Sequence, residues 1–399
     1  MAEKDLDAAS VEGVKYLKRA FRLFDRLAEA GTERDISRNR TLLFSHYAGL
    51  VLVGLFNPTL QSLRGLSQIS ELRKVQKVTG GKRASLGSLS ESVRIFDPAL
   101  MEPIIQELVS RLPSRMRGTP AADLPEELAR RLVAVDGSVL KALPQIAAAV
   151  GQVDTKWRLH LQFEVLRQVP GKAVLTEDGV GGASDERSVL ARTLEPGKTY
   201  IMDAGYERYA LLEQIVQAQS GYVCRVQRRQ VEILEQRALS DEARAANVLS
   251  DEVVRLGRSR SDVGEVTHKV RRIVIKADSS PGRQRTDRKP SREIVLLTNL
   301  LDVPAEVIAA IYRTRWLIEL FFRFFKHVLG CRELISLKEE GIAIQIYCAL
   351  IAALLMTLAA GHSVGRRGFE LICLFYQGWA EEDEVIAGLE KLARKKKIA

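Results

Sequence analysis

Apolar residues recur at helical spacing through the first third of the chain. Residues 14–31 carry apolar side chains three and four positions apart with basic residues between them, and a second apolar run extends over about 41–55. This spacing is typical of amphipathic helices. A Gly/Ser-rich joint at 79–90 separates these segments from a second helical pair. That pair is predicted at about 98–113 and 123–131.

From residue 131 the pattern changes to that of strands. Leu132–Val135 is a short apolar run that ends at Asp136, which predicts a buried strand with a carboxylate at its C-terminal end. Residues 157–165 alternate apolar and polar side chains, as expected for a half-buried strand. A third short strand is predicted at 172–176.

A helix that Ser184 can cap leads to a fourth strand, which again ends at an aspartate, Asp203. The element order is therefore β-β-β-α-β. Residues 221–300 contain further strand-like segments and a Pro/Gly/Ser/Arg-rich loop at 279–293. Between residues 204 and 300 there are 18 Lys/Arg and 13 Asp/Glu, so half of the chain's excess positive charge lies there. This excess of positive charge modestly favours a phosphate-contacting surface over a solvated sheet edge.

Residues 304–329 predict one continuous helix, because no glycine or internal proline interrupts them. At 100° per residue one face is apolar and the other carries a polar stripe. The stripe supports two interpretations: a solvated face with an ordinary i, i+4 ion pair, or a metal ligand among residues that grip a phosphate backbone. Its members are Tyr312, Arg315, Trp316, Glu319, Arg323 and Lys326.

The spacing Tyr312-x2-Arg315-x3-Glu319-x6-Lys326 resembles the Tyr-Arg-Glu-Lys signature of DDE transposases from bacterial insertion sequences, the group similar to insertion sequence family four. VDGS at 135–138 and MDAGY at 202–206 resemble the family's first and second Asp segments, in the family's order. RASLGSLSESVRIFDP at 83–98 resembles the segment that leads into its catalytic domain.

The resemblance implies an α/β fold: a ribonuclease H-like mixed-sheet core with an N-terminal helical domain and a β-rich insertion. We predict a helical DNA-binding region at 1–115, a catalytic core at 116–220 and 299–340, the insertion at 221–298 and a C-terminal helical region at 341–399. Only 80 residues follow Glu319, so a separate C-terminal dimerisation domain is expected to be reduced or absent.

The resemblance also implies the chemistry. Asp136, Asp203 and Glu319 would be catalytic and would bind divalent metal, two Mg²⁺ ions with Mn²⁺ as a possible substitute. The activity would be cleavage at transposon-end DNA followed by attack of the freed 3′-hydroxyl on target phosphodiesters. The residues expected to contact DNA are Tyr312, Arg315, Trp316, Arg323 and Lys326.

Composition fits a DNA partner. The 399 residues carry 60 Lys/Arg against 50 Asp/Glu, a net charge of +10. There is no P-loop motif, and four widely spaced cysteines argue against a zinc ribbon or a disulfide framework. No signal peptide is predicted, and the uncharged run at 341–361 is interpreted as a buried helix and not a membrane span. The resemblance implies that the partners are terminal inverted repeats, target DNA and a second copy of the chain, in the prokaryotic cytoplasm at the nucleoid.

Two alternatives stay open from the residues. One is a ribonuclease H-like nuclease without strand transfer, which would cut DNA lacking transposon ends. The other is a catalytically inactive, domesticated relative that binds end DNA but shows no Mg²⁺-dependent cleavage. A membrane-attached protein is a distant third alternative.

Overall fold

A computed structural model describes most of the chain. The described residues are 21–30, 34–35, 40–57, 60, 62–116, 119–142, 156–177, 182–227, 231–256, 266–276, 293–331, 333–336 and 338–396. Most of the predicted Arg-rich loop at 279–293 lies outside them, as does the first part of the predicted helix at 14–31.

Fifteen α-helices lie within these described ranges, some preceded by short 3-10 turns. They are α1 (Leu27–Ala30), α2 (Phe44–Leu55), α3 (Leu63–Ile69), α4 (Arg73–Thr79), α5 (Leu86–Ser92), α6 (Glu102–Ser110), α7 (Glu126–Ala129), α8 (Glu186–Arg192), α9 (Tyr209–Gln217), α10 (Asp241–Ala245), α11 (Ala305–Arg313), α12 (Trp316–His327), α13 (Glu339–Ala360), α14 (Arg366–Tyr376) and α15 (Glu382–Lys396).

Ten strands form one mixed sheet. They are β1 (Leu132–Ala142), β2 (Lys156–Glu164), β3 (Val169–Glu177), β4 (Thr199–Met202), β5 (Gly221–Val226), β6 (Val231–Gln236), β7 (Val248–Leu256), β8 (Val270–Lys276), β9 (Glu293–Thr298) and β10 (Glu333–Leu334). The order is β3-β2-β1-β4-β5-β9-β8-β7-β6, and β10 pairs with β1. The predicted α/β class and mixed-sheet core are confirmed.

The sheet changes character at β5. Strands β1, β4 and β5 run parallel to one another. From β5 onward every neighbouring pair, β5–β9, β9–β8, β8–β7 and β7–β6, is antiparallel. The strands of the predicted insertion therefore extend the core sheet. The domain boundaries themselves stay a prediction.

The chain divides into two compact units. One consists of Thr119–Gly137 and His160–Glu319, and the other of Met1–Gly118, Ser138–Leu159 and Leu320–Ala399. In the first, apolar residues of β1, β4 and β5 pack with α9, whose Leu212 and Ile215 are fully buried. Burial of such side chains stabilises the part of the sheet that carries Asp136 and Asp203.

In the other unit the central element is α13. It packs against α2 and α6, and Gly361 ends it in the left-handed conformation at φ +65°. Gln345 is buried, and its side-chain oxygen accepts a hydrogen bond from the Ile335 amide at 2.9 Å. The helix is long and apolar enough to cross a membrane, but 89% of its most apolar window is buried within the protein. A core helix has this character.

The predicted continuous helix at 304–329 is two helices, α11 and α12, so the helical-wheel stripe is interrupted. Between them the backbone makes i→i+3 hydrogen bonds, in which the amides of Arg315, Leu317 and Ile318 donate to residues three positions earlier. The Thr314 hydroxyl donates to the Ile311 carbonyl at 2.7 Å, which competes with regular helical bonding at the break. Arg315 therefore lies in a tight turn, directly before α12.

Candidate active site

Asp136 and Asp203 lie at matching positions on neighbouring strands. The parallel register pairs Ala134 of β1 with Ile201 of β4, and each aspartate follows its paired residue by two positions. Neighbouring strands are about 4.8 Å apart, and residues two apart point to the same face. The sheet therefore brings the two carboxylates to neighbouring positions on one face. Asp203 directly follows β4, whereas Asp136 lies within β1 and not at its predicted end, because β1 continues to Ala142.

The surroundings of Asp136 disfavour its charged form. Burial and the charge of Asp203 raise the pKa of Asp136 to about 7, with a smaller contribution from Glu186. The Gly137 amide, which donates to Asp136 Oδ1 at 2.9 Å, and the guanidinium of Arg315 act in the opposite direction. An acid whose pKa is raised by burial and by a neighbouring acid is a frequent feature of catalytic sites.

A local turn fixes the orientation of Asp203. Asp203 accepts a hydrogen bond from the Gly205 amide at 2.8 Å and caps the 3-10 turn Ala204–Tyr206. A Cβ on Gly205 would meet Asp203 Oδ1 at 3.0 Å, and one on Gly137 would meet Glu186 Oε1 at 2.5 Å. Both glycines therefore leave space that carboxylates use.

Arg315 connects the aspartates to the helix that follows it. Its guanidinium forms an ion pair with Glu319 at i, i+4, and lies 6.0 Å from the centre of the Tyr312 ring. Burial lowers the pKa of Arg315, but the charges of Tyr312, Glu319 and Asp203 outweigh it and raise that pKa overall. One guanidinium is thus the common electrostatic neighbour of Asp136, Asp203 and Glu319.

The other residues of the predicted stripe differ in exposure. Tyr312 is buried, whereas Trp316 is 44% exposed, unusual for so large an apolar side chain. Arg323 is exposed and Lys326 is half-buried. They follow Glu319 by four and seven positions within α12, so helical periodicity puts them on the side of α12 that carries Glu319. The Glu319 side chain is 46% exposed.

The donor set suits a hard divalent cation. Carboxylate oxygens are the ligands that Mg²⁺ prefers, and the mutual repulsion that raises the Asp136 pKa would be relieved by a bound cation. In the part of the chain that the structure describes, however, no group of three His, Cys, Asp or Glu side chains is close enough to hold a metal ion. Asp136 and Asp203 provide two donors, and Glu319 is engaged by Arg315.

Two neighbours of the site were not predicted from the sequence. Glu186, the first residue of α8, contributes a further negative charge beside Asp136. The positive charge of Arg225 of β5 acts on Tyr312, together with that of Arg315. Burial raises the pKa of the Tyr312 hydroxyl, and these two arginines oppose that shift. Neither residue belongs to a spaced motif, so only the fold brings them to the site.

Comparison with known proteins gives consistent results. Residues 127–355 match the family model described as the Transposase DDE domain. A Sinorhizobium fredii protein named as a transposase, y4zB, is 30% identical over 205 residues, 51% of this chain and 53% of that protein. A Geobacillus stearothermophilus protein named as a transposase for insertion sequence element IS5377 is 24% identical over 200 residues, 50% of this chain and 48% of that protein.

A shorter match is closer in sequence: a Synechocystis protein named as a transposase for insertion sequence element IS4SA is 46% identical over 56 residues, 14% of this chain and 17% of that protein. The chain spans about half the length of the first two relatives. The family match covers more than half of the chain and contains Asp136, Asp203 and Glu319. The chain therefore belongs to the DDE transposase family of insertion sequences.

Proposed function

We propose that this protein is a DNA transposase that cuts at the ends of an insertion element and joins them to target DNA. The observation that carries the proposal is that three acids from distant parts of the chain, Asp136, Asp203 and Glu319, share the guanidinium of Arg315 as an electrostatic neighbour. Surface charge alone would not put Asp136 beside another acid, Asp203, at a buried position where desolvation raises the pKa of Asp136.

We propose that Mg²⁺ is held by Asp136, Asp203 and Glu319. The site would hold two ions, and Mn²⁺ could replace Mg²⁺. Such ions supply an activated nucleophile and charge stabilisation at the leaving oxygen. Glu319 would exchange its contact with Arg315 for the metal, and its exposure leaves room for that movement. Arg315 would then be free to pair with a phosphate, for which a guanidinium is well suited.

The reaction has two steps. Water attacks the phosphorus at the element's end and displaces the 3′-oxygen, which leaves as a hydroxyl. That hydroxyl then attacks a target phosphodiester and displaces the target's own 3′-oxygen, without a covalent protein intermediate.

The exposed Trp316 indole is able to stack on a DNA base. The residues that would contact the DNA are Tyr312, Arg315, Trp316, Arg323 and Lys326.

The N-terminal helical region offers a surface for the DNA backbone, the basic surface of α3 to α5. Helix α4 has no buried residue, and Glu71, the sole acid among residues 60–90, pairs with Arg83 at 3.0 Å. Exposed leucines, Leu72 and Leu86, lie beside these charges. An excess of cations over acids is characteristic of phosphate-contacting surfaces. The cations are Arg64, Arg73, Lys74, Lys77, Lys82 and Arg83.

The basic surface can be tested by the salt dependence of DNA binding. Lys74→Ala/Lys77→Ala should reduce the slope of log K against log salt concentration by about 2, because each phosphate contact contributes about 0.9. Arg367→Ala/Lys391→Ala removes the same charge from exposed positions of α14 and α15 and should leave the slope unchanged. Equal slopes for the two double variants would contradict the assignment.

The activity is tested with a labelled DNA that carries the element's end, a supercoiled target plasmid and Mg²⁺. Glu319→Gln should abolish cleavage and joining while end binding persists, whereas Glu306→Gln, in the first turn of α11, should retain both. Cleavage of DNA without ends, with no joining, would support a nuclease instead. Tight end binding without any Mg²⁺-dependent cleavage by the wild type would indicate an inactive DNA-binding relative.

The proposed assembly and location follow from the family. Joining two element ends requires both to be held together, which we propose a homodimer does in a synaptic complex with the terminal inverted repeats. The protein would act on the nucleoid in the prokaryotic cytoplasm, with no membrane partner.

A further inference from the structure

The β-rich part of the sheet holds a charge pair that the proposed chemistry does not use. Arg271 of β8 and Asp251 of β7 are both buried, with side chains 4% and 5% exposed. Arg271 Nε donates to Asp251 Oδ1 at 2.7 Å and Nη2 donates to Oδ2 at 2.6 Å, a bidentate pair. A buried pair of this kind is costly unless its remaining donors are satisfied.

The remaining donor of Arg271 is directed at the loop between β9 and α11. Arg271 Nη1 donates to the carbonyl oxygens of Leu300, at 3.2 Å, and Leu301, at 3.3 Å, and also to that of Val303. Arg237 donates a further hydrogen bond to the Leu301 carbonyl, at 2.6 Å. The loop therefore loses the freedom that connecting segments usually keep, because its carbonyls are bonded to one rigid guanidinium.

The same part of the sheet holds the other end of α11. Arg313, the last residue of the helix, donates from Nη2 to the Ala246 carbonyl at 2.8 Å, directly after α10. Helix α11 is thus fixed at its start through Arg271 and Arg237 and at its end through Arg313. Tyr312 lies one position before that last contact, and Arg315 follows two positions after it.

We propose that Arg271, oriented by Asp251, is a positioning residue for the active site: it sets the location of α11 and thereby of Tyr312, Arg315 and Glu319. This inference rests on the proposed function for its kinetic consequence, but its structural consequence can be measured without any activity. It gives the β-rich segment a role in catalysis besides any contact with DNA.

The neighbouring residue offers a matched control. Arg272 lies on the opposite face of β8 and pairs with Glu252, directly across from it on β7. Arg272 Nε donates to Glu252 Oε2 at 2.8 Å, and the pair makes no hydrogen bond to the loop at 300–303 among the described residues. Arg271→Lys and Arg272→Lys therefore make the same chemical change on adjacent residues of one strand, and only the first touches the loop.

The structural arm measures amide hydrogen exchange. Arg271→Lys should increase exchange in peptides covering 300–313 by about tenfold or more, because a lysine cannot bond Asp251 and three carbonyls together. Peptides covering β1 and β4 should be unchanged. Arg272→Lys should leave 300–313 at the wild-type rate. Should Arg271→Lys prove too unstable, Arg237→Ala removes one loop contact from a partly exposed position and should give a smaller increase in the same peptides.

The kinetic arm measures cleavage of end DNA at saturating DNA. Arg271→Lys should lower the rate constant by up to about 100-fold with little change in the Kd for DNA, since a displacement of about 1 Å can have that effect. Arg272→Lys should retain the wild-type rate. Equal effects of the two variants, or wild-type exchange at 300–313 in both Arg271→Lys and Arg237→Ala, would overturn the proposal. An inactive wild type would refute the proposed function, and the exchange arm would still decide whether Arg271 positions α11.

Discussion

Two pairs of acids occupy comparable places in the sheet but have opposite surroundings. Asp136, within β1, and Asp203, directly after β4, repel each other, and the pKa of Asp136 is raised to about 7. On β7, Asp251 and Glu252 are each matched by an arginine from β8. The difference separates two uses of charge: an acid that holds the fold is neutralised within the chain, whereas an acid that binds a ligand is left without full compensation.

The largest expected effect is a loss of activity when the first pair, Asp136 and Asp203, is changed. Asp136→Asn and Asp203→Asn should each lower cleavage of end DNA by about 10³-fold or more, because each removes a proposed metal ligand at nearly constant volume. Their free energies of unfolding should stay at or above the wild-type value, since a repulsive charge is lost. Cleavage rates and chemical denaturation measure the two quantities. Retained cleavage in either variant would remove that aspartate from the proposed site.

Removing an acid of the second pair, Asp251, should mainly lower the free energy of unfolding. Asp251→Ala leaves the Arg271 guanidinium buried without its carboxylate, which typically costs about 3–5 kcal/mol in the free energy of unfolding. Urea denaturation followed by circular dichroism gives this value. A loss below about 1 kcal/mol would show that Arg271 is already satisfied by the loop carbonyls and that Asp251 is dispensable.

A smaller effect is expected from Mg²⁺, the ion that we propose this site binds. Mg²⁺ at about 100 times its Kd should stabilise the wild-type protein by about 2.7 kcal/mol in the absence of DNA, by mass action. Asp136→Asn should lose most of this gain, whereas Asp251→Asn should keep the full increment above its own lower baseline. Thermal melts with and without chelator measure the increments. An equal Mg²⁺ increment in the wild type and in Asp136→Asn would mean that the ion binds elsewhere.

Part of the aspartate pair was predictable, because Asp136 and Asp203 each follow a short apolar run and both runs form strands. The predicted strands at 132–135 and 157–165 correspond to β1 and β2, although β1 continues to Ala142. A local pattern of apolar residues fixes a strand, but its length also depends on partners such as β10, which no local pattern reveals.

The signature segment shows where the sequence was insufficient. The 100° periodicity predicted one helix across 304–329, and the break at Thr314 and Arg315 was missed, since neither residue is a glycine or a proline. The Arg315–Glu319 ion pair, which belongs to the solvated-face interpretation of the stripe, is present, and the Arg315 guanidinium lies 6.0 Å from the centre of the Tyr312 ring. The hydrogen bonds of Arg271 and Arg237 to the loop could not be predicted from local sequence patterns either, because they join residues 29 to 64 positions apart.

The smallest expected effect sharpens the comparison with a third pair, on the edge of the same sheet. Arg255 of β7 and Glu232 of β6 lie 2.8 Å apart, but their side chains are 66% and 60% exposed. Solvent screens such a pair, and exposed ion pairs typically contribute about 0–1 kcal/mol. Glu232→Gln should therefore change the free energy of unfolding by less than about 0.5 kcal/mol, measured by urea denaturation beside Asp251→Ala. A loss of unfolding free energy comparable to that of Asp251→Ala would mean that burial does not distinguish the two ion pairs. The contrast between the acids of β7 and the pair Asp136 and Asp203 would then need an explanation other than desolvation.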